Sequence, residues 1–402
     1  MKKRLSLFTL ALFSMVAAAQ VSKTVNVTTA GNLYRETSLN TVTNLTVTGS
    51  INAVDVKYMR DNMPLLAVLD LSGASIAAYS GSSTDGPDTN ISTYNANYMP
   101  SKSFRNKSSL TTLNLPNNLT GIDQYAFYGC SGLTSIPLPA NLISIGGEAF
   151  SGCTSLTSMT FPAKLRIIYD AETANPATYK AFFNCTHITD FNVESTNANF
   201  SSLNGVLFNK DFTKLLCYPM AKLGDFTIPS TVTNINCWAF YKCMVPKITF
   251  PVIPSAFTIN DYAISNCSNL IAINCLDVTP FTITALTFNN NSNIANVFVP
   301  SADAVTAYKA NTSWYSTFPG NIIKTGVTTA LALQTSSKVK VFTTASEIVI
   351  DGLSNGATVE LYSLNGVRIQ SRKAQGDRMT INILGHAVYL VKVGAKAFKV
   401  IL

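Results

Sequence analysis

The chain has 402 residues, of which 47% are apolar and only 12% charged, and its formal net charge is +8. This length indicates two or three domains, and so apolar a composition excludes a disordered or highly charged chain. Two His residues in the whole sequence offer little material for His-based catalysis or a His-rich metal site, so we expect no metal and no cofactor.

The positive charge is concentrated at the two ends of the sequence. Between Gln20 and Thr325 there are 17 basic and 17 acidic residues, whereas residues 326–402 carry 9 basic and 4 acidic ones. A nucleic-acid-binding protein needs a basic surface to neutralise phosphates. The balanced charge of the main body therefore predicts no nucleic-acid partner.

Residues 1–19 have the three parts of a secretory signal peptide. Lys2, Lys3 and Arg4 come first, an apolar run follows, and three small residues end at Ala19. The alternative is a membrane anchor, which needs an apolar run of about 20 residues, and this run is shorter. We expect cleavage after Ala19 and a mature protein that is secreted or held at the outer cell surface without an integral membrane span.

The segment that follows, residues 20–102, predicts a strand, a helix and a strand. Residues 44–52 alternate between apolar and polar, residues 54–60 have helical spacing, and residues 66–71 return to a strand pattern. The end of a repeat stack must shield its core from water. We therefore predict that residues 20–102 form an N-terminal α/β cap.

A period of 23 residues dominates residues 103–325. The segment Leu-Thr-Thr-Leu-Asn-Leu-Pro at Leu110 recurs as Leu-Thr-Ser-Ile-Pro-Leu-Pro at Leu133 and as Leu-Thr-Ser-Met-Thr-Phe-Pro at Leu156. A second short apolar pair and a turn of the type Ala-Phe-x-x-Cys follow each copy. Turns of this type end at Cys130, Cys153, Cys185, Cys243 and Cys267. A further copy matches the motif less well and has Asn291 at the Cys position.

Alternation within each copy predicts a strand with one inward and one outward face. Equivalent residues stay in phase from copy to copy, so stacked copies bury one another's apolar faces and form a solenoid. The two inward columns comprise Leu113, Ile136, Met159, Phe191, Ile248, Ile273 and Val297, and Leu115, Leu138, Phe161, Val193, Phe250, Cys275 and Val299.

The period is interrupted twice. Cys153 and Cys185 are 32 residues apart, so residues 166–179 contain an insertion, and Cys185 and Cys243 are 58 residues apart. Within the second gap, residues 199–218 have the pattern of two strands joined by an Asn-Lys-Asp turn. We predict a hairpin there that projects from the stack or widens it.

These motifs resemble the BspA-like leucine-rich repeats of bacterial surface proteins. The L-x-x-I-x-[LF]-P strand, the apolar pair and the A-F-x-[GN]-C turn match that pattern over residues 103–325, and residues 299–314 are similar to the family's last turn, where a strand gives way to a helix. The resemblance implies recognition of other molecules at the cell surface rather than catalysis. It assigns no ligand residues.

Residues 326–402 predict a small antiparallel, Ig-like β-sandwich. Short alternating runs occur at residues 339–342, 348–350, 359–364, 379–383, 388–393 and 399–402, with turns such as Asn355-Gly between them. The run from Val359 to Gly366, the run around Tyr389 and the final Lys-Val-Ile-Leu resemble the C-terminal sorting domain of the type IX secretion pathway. The alternative is a plain Ig-like module kept for stability or spacing.

The eight Cys residues suggest disulfides by count alone. The five turn cysteines, however, occupy one place in parallel coils about 4.8 Å apart, farther than the Cβ atoms of a disulfide. We predict buried free thiols, with a Cys237–Cys243 pair as the alternative.

Four further residues have side chains that can act in catalysis or bind a metal: His187, His386, and Asp170 with Glu172 in the first insertion. None has a partner in the sequence pattern that would complete a catalytic or metal site, so no enzyme is predicted.

The outward side of the repeat strands is the candidate binding surface, because it offers small hydroxyls and amides to a flat partner. We predict a monomeric, non-enzymatic surface protein that binds host or matrix proteins. One alternative is a glycan-binding module, which needs exposed Trp or Tyr platforms, and another is a surface hydrolase, which needs two facing carboxylates. The candidate residues of this outward strand face are Thr112, Asn114, Ser135, Ser158, Thr160, Asp190, Asn192, Lys247 and Thr249.

Overall fold

The computed structural model of the protein describes residues 20–169, 180–253, 256–326, 340–343, 347–363, 368–382, 388–393 and 396–401. The chain divides into two compact units, Met1–Thr325 and Gly326–Leu402. The predicted signal peptide, the carboxylates of Asp170 and Glu172, and His386 lie outside the described residues. The described residues are mainly β-structure, as predicted.

The first unit begins with a parallel sheet that continues into the repeats. Its elements are β1 (Ser22–Val27), β2 (Asn44–Ile51), α1 (Ala53–Asn62), β3 (Val68–Asp70), β4 (Ala74–Ile76), β5 (Tyr79–Ser80), β6 (Thr93–Tyr94) and β7 (Tyr98–Met99), with two short 3-10 turns at Leu33–Arg35 and Leu39–Thr41. The order of β2, α1 and β3 is the predicted strand, helix and strand. Strand β2 pairs in parallel with β1, β3 and β4.

Helix α1 begins where a polar pair closes its first turn. The Asn52 side chain accepts a hydrogen bond from the N–H of Val54, and the Asp55 carboxylate accepts one from the N–H of Asn52, each at 2.9 Å. Asp55 also accepts hydrogen bonds from the N–H groups of Gly31 and Leu33. Burial nevertheless raises the pKa of Asp55 above its ordinary value. This carboxylate therefore joins the preceding loop to the start of the helix.

The repeat strands pair in parallel in two ladders, and neighbours within a ladder are one coil apart. They are β8 (Thr112–Asn114), β9 (Gly121–Ile122), β10 (Ser144–Ile145), β11 (Ser158–Phe161), β12 (Ile167–Ile168) and β13 (Asp190–Val193). Met159 pairs with Phe191, and a single bridge joins Thr112 to Ser135 of the next copy. The predicted stacking of equivalent residues is thereby confirmed. Strand β8 also pairs with β3, so the first inward column begins before the motif, at Leu69 or earlier.

A second ladder runs along another side of the same coils. Strands β7, β9, β10 and β12 pair in parallel in that order. Their second residues, Met99, Ile122, Ile145 and Ile168, are all buried. The apolar pair that follows each motif therefore supplies a further column of the core.

The Ala-Phe-x-x-Cys turns form the third side of each coil. The N–H of Phe127 donates to the carbonyl of Ala149 in the next turn at 2.8 Å, and the rings of Phe127 and Phe150 stack with centroids 5.3 Å apart. Tyr125 and Gly129 have φ values of 60° and 70°, which is the left-handed region that glycine and asparagine tolerate best. This explains why Gly or Asn usually precedes the Cys.

The cysteines of these turns form the predicted column of buried thiols. Cys153 donates to the carbonyl of Phe127 at 3.2 Å, and Cys185 donates to that of Phe150 at 3.0 Å. None of the eight cysteines, all of which lie in the described part of the chain, forms a disulfide, so the alternative of a Cys237–Cys243 pair is wrong.

Asn291 occupies the position that Cys has in the other turns, and its side chain makes similar hydrogen bonds. Its amide nitrogen donates to the carbonyl of Ile264 at 2.6 Å, and its oxygen accepts from the N–H of Cys267 at 2.8 Å. The asparagine thus makes the hydrogen bond to the previous turn that a thiol makes elsewhere.

The long gap between Cys185 and Cys243 contains three strands, β14 (Phe200–Leu203), β15 (Val206–Asn209) and β16 (Lys214–Cys217). The predicted hairpin is β15 and β16, and the prediction missed β14, which pairs antiparallel with β15 across the Asn204-Gly205 turn. Strand β16 pairs in parallel with the next coil through Leu215 and Ile235. The hairpin therefore widens the stack and takes part in its second ladder.

The remaining coils repeat the same arrangement. Their elements are β17 (Phe226–Thr227), β18 (Asn234–Ile235), β19 (Phe240–Tyr241), β20 (Lys247–Phe250), β21 (Thr258–Ile259), β22 (Ile264–Ser265), β23 (Ala272–Cys275), β24 (Asn296–Val299), α2 (Ala302–Ala310), α3 (Thr312–Thr317) and β25 (Ile323–Thr325). The predicted column passes through Ile248, Ile273 and Val297. It omitted Phe226, which pairs with Ile248. The predicted change from strand to helix near residue 300 is present as β24 and α2.

The second unit consists of two antiparallel sheets. Its strands are β26 (Lys340–Thr343), β27 (Glu347–Asp351), β28 (Thr358–Ser363), β29 (Arg368–Lys373), β30 (Arg378–Asn382), β31 (Val388–Val393) and β32 (Lys396–Ile401). The sheets have the orders β26-β27-β30 and β29-β28-β31-β32. One apolar cluster includes Ile348 and Ile350 of the first sheet and Leu361 and Val391 of the second. The sequence missed β29, because this polar, exposed strand lacks apolar alternation.

Candidate functional site

All nine predicted residues of the outward strand face lie on the solvent side of the repeat strands, and none of them is buried. The register places Ser158 beside Asp190 and Thr160 beside Asn192. Seven of the nine occupy neighbouring coils before the hairpin, and the two on β20 follow it. The structure thus brings the candidates into two groups on one type of surface.

This surface extends over strands that the sequence period did not include. Thr46 pairs with Asp70, and Asp70 pairs with Asn114, so the polar row continues into the N-terminal sheet. The N–H of Ser72 donates to Asp70 at 3.0 Å and holds the pKa of that carboxyl below its ordinary value. Thr227 likewise pairs with Thr249. The apolar–polar alternation of the sequence in β2 and β3 could have predicted that Thr46 and Asp70 belong to this surface.

The charged members of the face already have partners. Lys222 lies 3.2 Å from the carboxylate of Asp190, and Lys247 pairs with Asp225. Partly exposed pairs of this kind contribute about 0–1 kcal/mol to stability. Neutral hydroxyls and amides are therefore the main groups that this face presents to a partner.

The two tryptophans occupy different environments. Trp314 is buried, and its ring N–H donates to the carbonyl of Phe281 at 2.7 Å, so this ring belongs to the core. Trp238 is half-buried and stacks on Tyr262 with centroids 4.6 Å apart. It also contacts Tyr241, which stacks on Phe183. Phe183, Trp238, Tyr241 and Tyr262 make up an aromatic cluster on the outside of the turns.

The structure gives His187 no catalytic or metal-binding partner among the described residues. The ring of His187 is exposed and its Nδ1 hydrogen-bonds to the carbonyl of Thr154. Within the described ranges, no group of three or more His, Cys, Asp and Glu side chains is placed to hold a metal ion. None of the helices in the described part of the chain has the length and apolar character needed to cross a bilayer.

Comparison with known sequences identifies the repeats. The family described as "BspA type Leucine rich repeat region (6 copies)" matches residues 97–215 and 210–313, which together make up more than half of the chain. The chain belongs to the BspA-type leucine-rich repeat family. This confirms the resemblance of the repeats, whereas the match does not extend to the C-terminal unit. No curated protein matches the chain.

Several solved leucine-rich repeat structures are also similar. A protein from Eubacterium ventriosum is 17% identical, with 71% of this chain and 73% of that chain covered and a TM-score of 0.38. A leucine-rich cell surface protein from Faecalibacterium prausnitzii is 17% identical, with coverage of 66% and 81% and a TM-score of 0.36. The pneumococcal vaccine antigen PcpA is 14% identical, with coverage of 70% and 80% and a TM-score of 0.34.

Proposed function

We propose that this BspA-type protein is a non-enzymatic bacterial surface protein that binds a host or matrix protein through the outward strand face. The supporting observation is the row of exposed small polar residues on consecutive coils, exemplified by Asn114, Ser135, Thr160 and Asn192. Parallel strands hold such groups at a regular spacing of about 4.8 Å on a rigid backbone. A rigid surface loses little conformational entropy when it binds a flat protein.

An array of matrix proteins and glycans, probed with the full chain, tests this proposal. For a protein ligand found there, Asn114→Arg or Thr160→Arg should reduce affinity at least about tenfold, since a long charged side chain would block close contact. Thr282→Arg is the matched control, because Thr282 is equally exposed but lies outside the face. Binding that Asn114→Arg and Thr160→Arg leave unchanged, or no binding to any protein, would refute the proposal.

A glycan-binding function is the second candidate, and the aromatic cluster favours it. Sugar rings pack their C–H faces on Trp and Tyr side chains, which present an apolar body and a polar edge. Trp238→Ala should then abolish retention on a glycan array, whereas Tyr315→Ala, which removes an exposed aromatic ring elsewhere, should not. Equal retention of the two variants would count against this function.

We further propose that residues 1–19 are a signal peptide, that residues 20–102 cap the repeats, and that residues 326–402 form an Ig-like sandwich that directs export by the type IX pathway. The strand pattern of the second unit and its sequence resemblance support the last point. In the native bacterium, deletion of residues 326–402 should leave the protein in the periplasm, and the mature wild-type protein should begin at Gln20. Normal surface display of the truncated protein would exclude the sorting role.

A further inference from the structure

A pocket of about 500 Å³ opens on the second ladder, away from the outward strand face. The residues that follow the buried Ile of each coil in this ladder are Asp123, Gly146 and Tyr169, on three consecutive coils. Because Gly146 has no side chain, a space remains between the carboxylate of Asp123 and the ring of Tyr169. We name this space the Asp123 pocket.

Close neighbours leave no room for a side chain at Gly146, which lines the pocket, or at Gly121 beside it. A Cβ atom at Gly146 would lie 2.5 Å from the backbone nitrogen of Gln124, and a Cβ atom at Gly121 would lie 2.2 Å from the ring of Tyr98. Real Cβ contacts are essentially never this short. The local packing of the coils therefore keeps both positions small and the pocket open.

Part of the pocket wall is formed by apolar and aromatic side chains that are unusually exposed for this protein. Ile143, Ile167 and Tyr169 are 37%, 45% and 56% exposed, although residues of their type are mostly buried elsewhere in the repeats. Tyr98 closes the opposite end. The walls thus suit a side chain with an apolar stem.

Two polar groups of the pocket have no partner in the described part of the chain. Among the described residues, neither the carboxylate of Asp123 nor the hydroxyl of Ser144 makes a hydrogen bond or an ion pair. Burial raises the pKa of Asp123 to about 6. The nearby Lys102 is held 2.9 Å from Asp88. Within residues 20–169, the other titratable groups around the pocket are Glu148 and the phenols of Tyr94, Tyr98, Tyr125 and Tyr169.

We propose that the Asp123 pocket receives a lysine or arginine side chain of a protein partner. The cationic end would pair with the carboxylate of Asp123, and its methylene stem would pack on Ile143 and Ile167. The ring of Tyr169 would add a cation–π contact. An anionic group would be repelled, and a purely apolar one would leave the carboxylate buried without a partner. This site is separate from the outward strand face, so either proposal can fail alone.

Ligand-observed NMR on the full chain tests the pocket with N-acetyl-arginine amide and N-acetyl-lysine amide as probes. N-acetyl-norleucine amide, which keeps the stem and lacks the charge, and N-acetylglucosamine are the comparison probes. At least one cationic amide should bind at about pH 7.5 and bind about tenfold more weakly near pH 5, where Asp123 is protonated. The norleucine amide should bind at least about tenfold more weakly than that cationic amide.

Two variants and one control complete the experiment. Asp123→Asn keeps the shape and removes the charge, so affinity for the cationic amide should fall at least about tenfold. Tyr169→Ala should lower it about threefold, and Asp211→Asn, which removes a charge from an exposed loop, should leave it unchanged. Failure of both cationic amides to bind, undiminished binding to Asp123→Asn, or Asp123-dependent binding of N-acetylglucosamine instead would each overturn the proposal.

Discussion

Replacement of Asp123 by Asn should make the protein more stable at neutral pH. Folding raises the pKa of this carboxyl from its ordinary value of 3.8 to about 6, and the cause is burial. The folded state therefore binds the proton more tightly than the unfolded state. As a result, the free energy of unfolding falls as pH rises through the window between about 4 and 6.

The magnitude follows from the size of the shift. A rise of about two pKa units corresponds to about 3 kcal/mol of destabilisation once the group is fully ionised. Because the side chain is only half-buried, solvent screening reduces this destabilisation. We therefore expect Asp123→Asn to raise the free energy of unfolding by about 1–3 kcal/mol near pH 7.5. Below about pH 4 both carboxyl and amide are neutral, so the difference between the variants should vanish.

Equilibrium denaturant unfolding of wild-type protein and Asp123→Asn at both pH values measures this difference directly. Asp211→Asn serves as the control, since it removes one charge from an exposed loop and should show no comparable pH-dependent gain. A variant that is less stable than the wild type near neutral pH, or equally stable at both pH values, would refute the reasoning. The carboxylate would then have a partner that compensates its burial.

Three further predictions concern the core of the repeats. Asn291→Ala should lower the free energy of unfolding by about 2 kcal/mol, because it removes two partly buried hydrogen bonds, whereas Asn291→Cys should retain part of that stability. Equal losses of the two variants in thermal unfolding would contradict this explanation. Phe150→Ala should lower the free energy of unfolding by about 3–5 kcal/mol, since it interrupts a fully buried stack of rings. If its loss of stability were no larger than that of Tyr315→Ala, which removes an exposed ring, the stack would not stabilise the fold. Burial raises the pKa of Cys130, Cys217 and Cys275 to about 12, so iodoacetamide should modify these thiols slowly in the folded protein. Cys217 should react before the other two because it is half-buried and they are buried. Mass spectrometry of unreduced, denatured protein should show eight modified cysteines, and fewer would indicate a disulfide.

The sequence alone determined the repeat, the inward columns and the thiol column. These features follow from alternation and period, because a side chain's position within one coil decides whether it points inward, and stacking carries that position to the next coil. Elements with weak apolar alternation could not be predicted in this way. Strand β29 is almost wholly polar, and Phe226 follows a gap that broke the phase of its column.

Only the tertiary structure decided what the surface offers to a partner. The ion pairs of Asp190 and Lys247 depend on a loop that the gap between the repeats brings beside them. The Asp123 pocket depends on Gly146 standing one coil away, 23 residues along the chain, with Tyr169 a further coil beyond. A local pattern reports which way a side chain points, but the register between coils decides which side chains become neighbours.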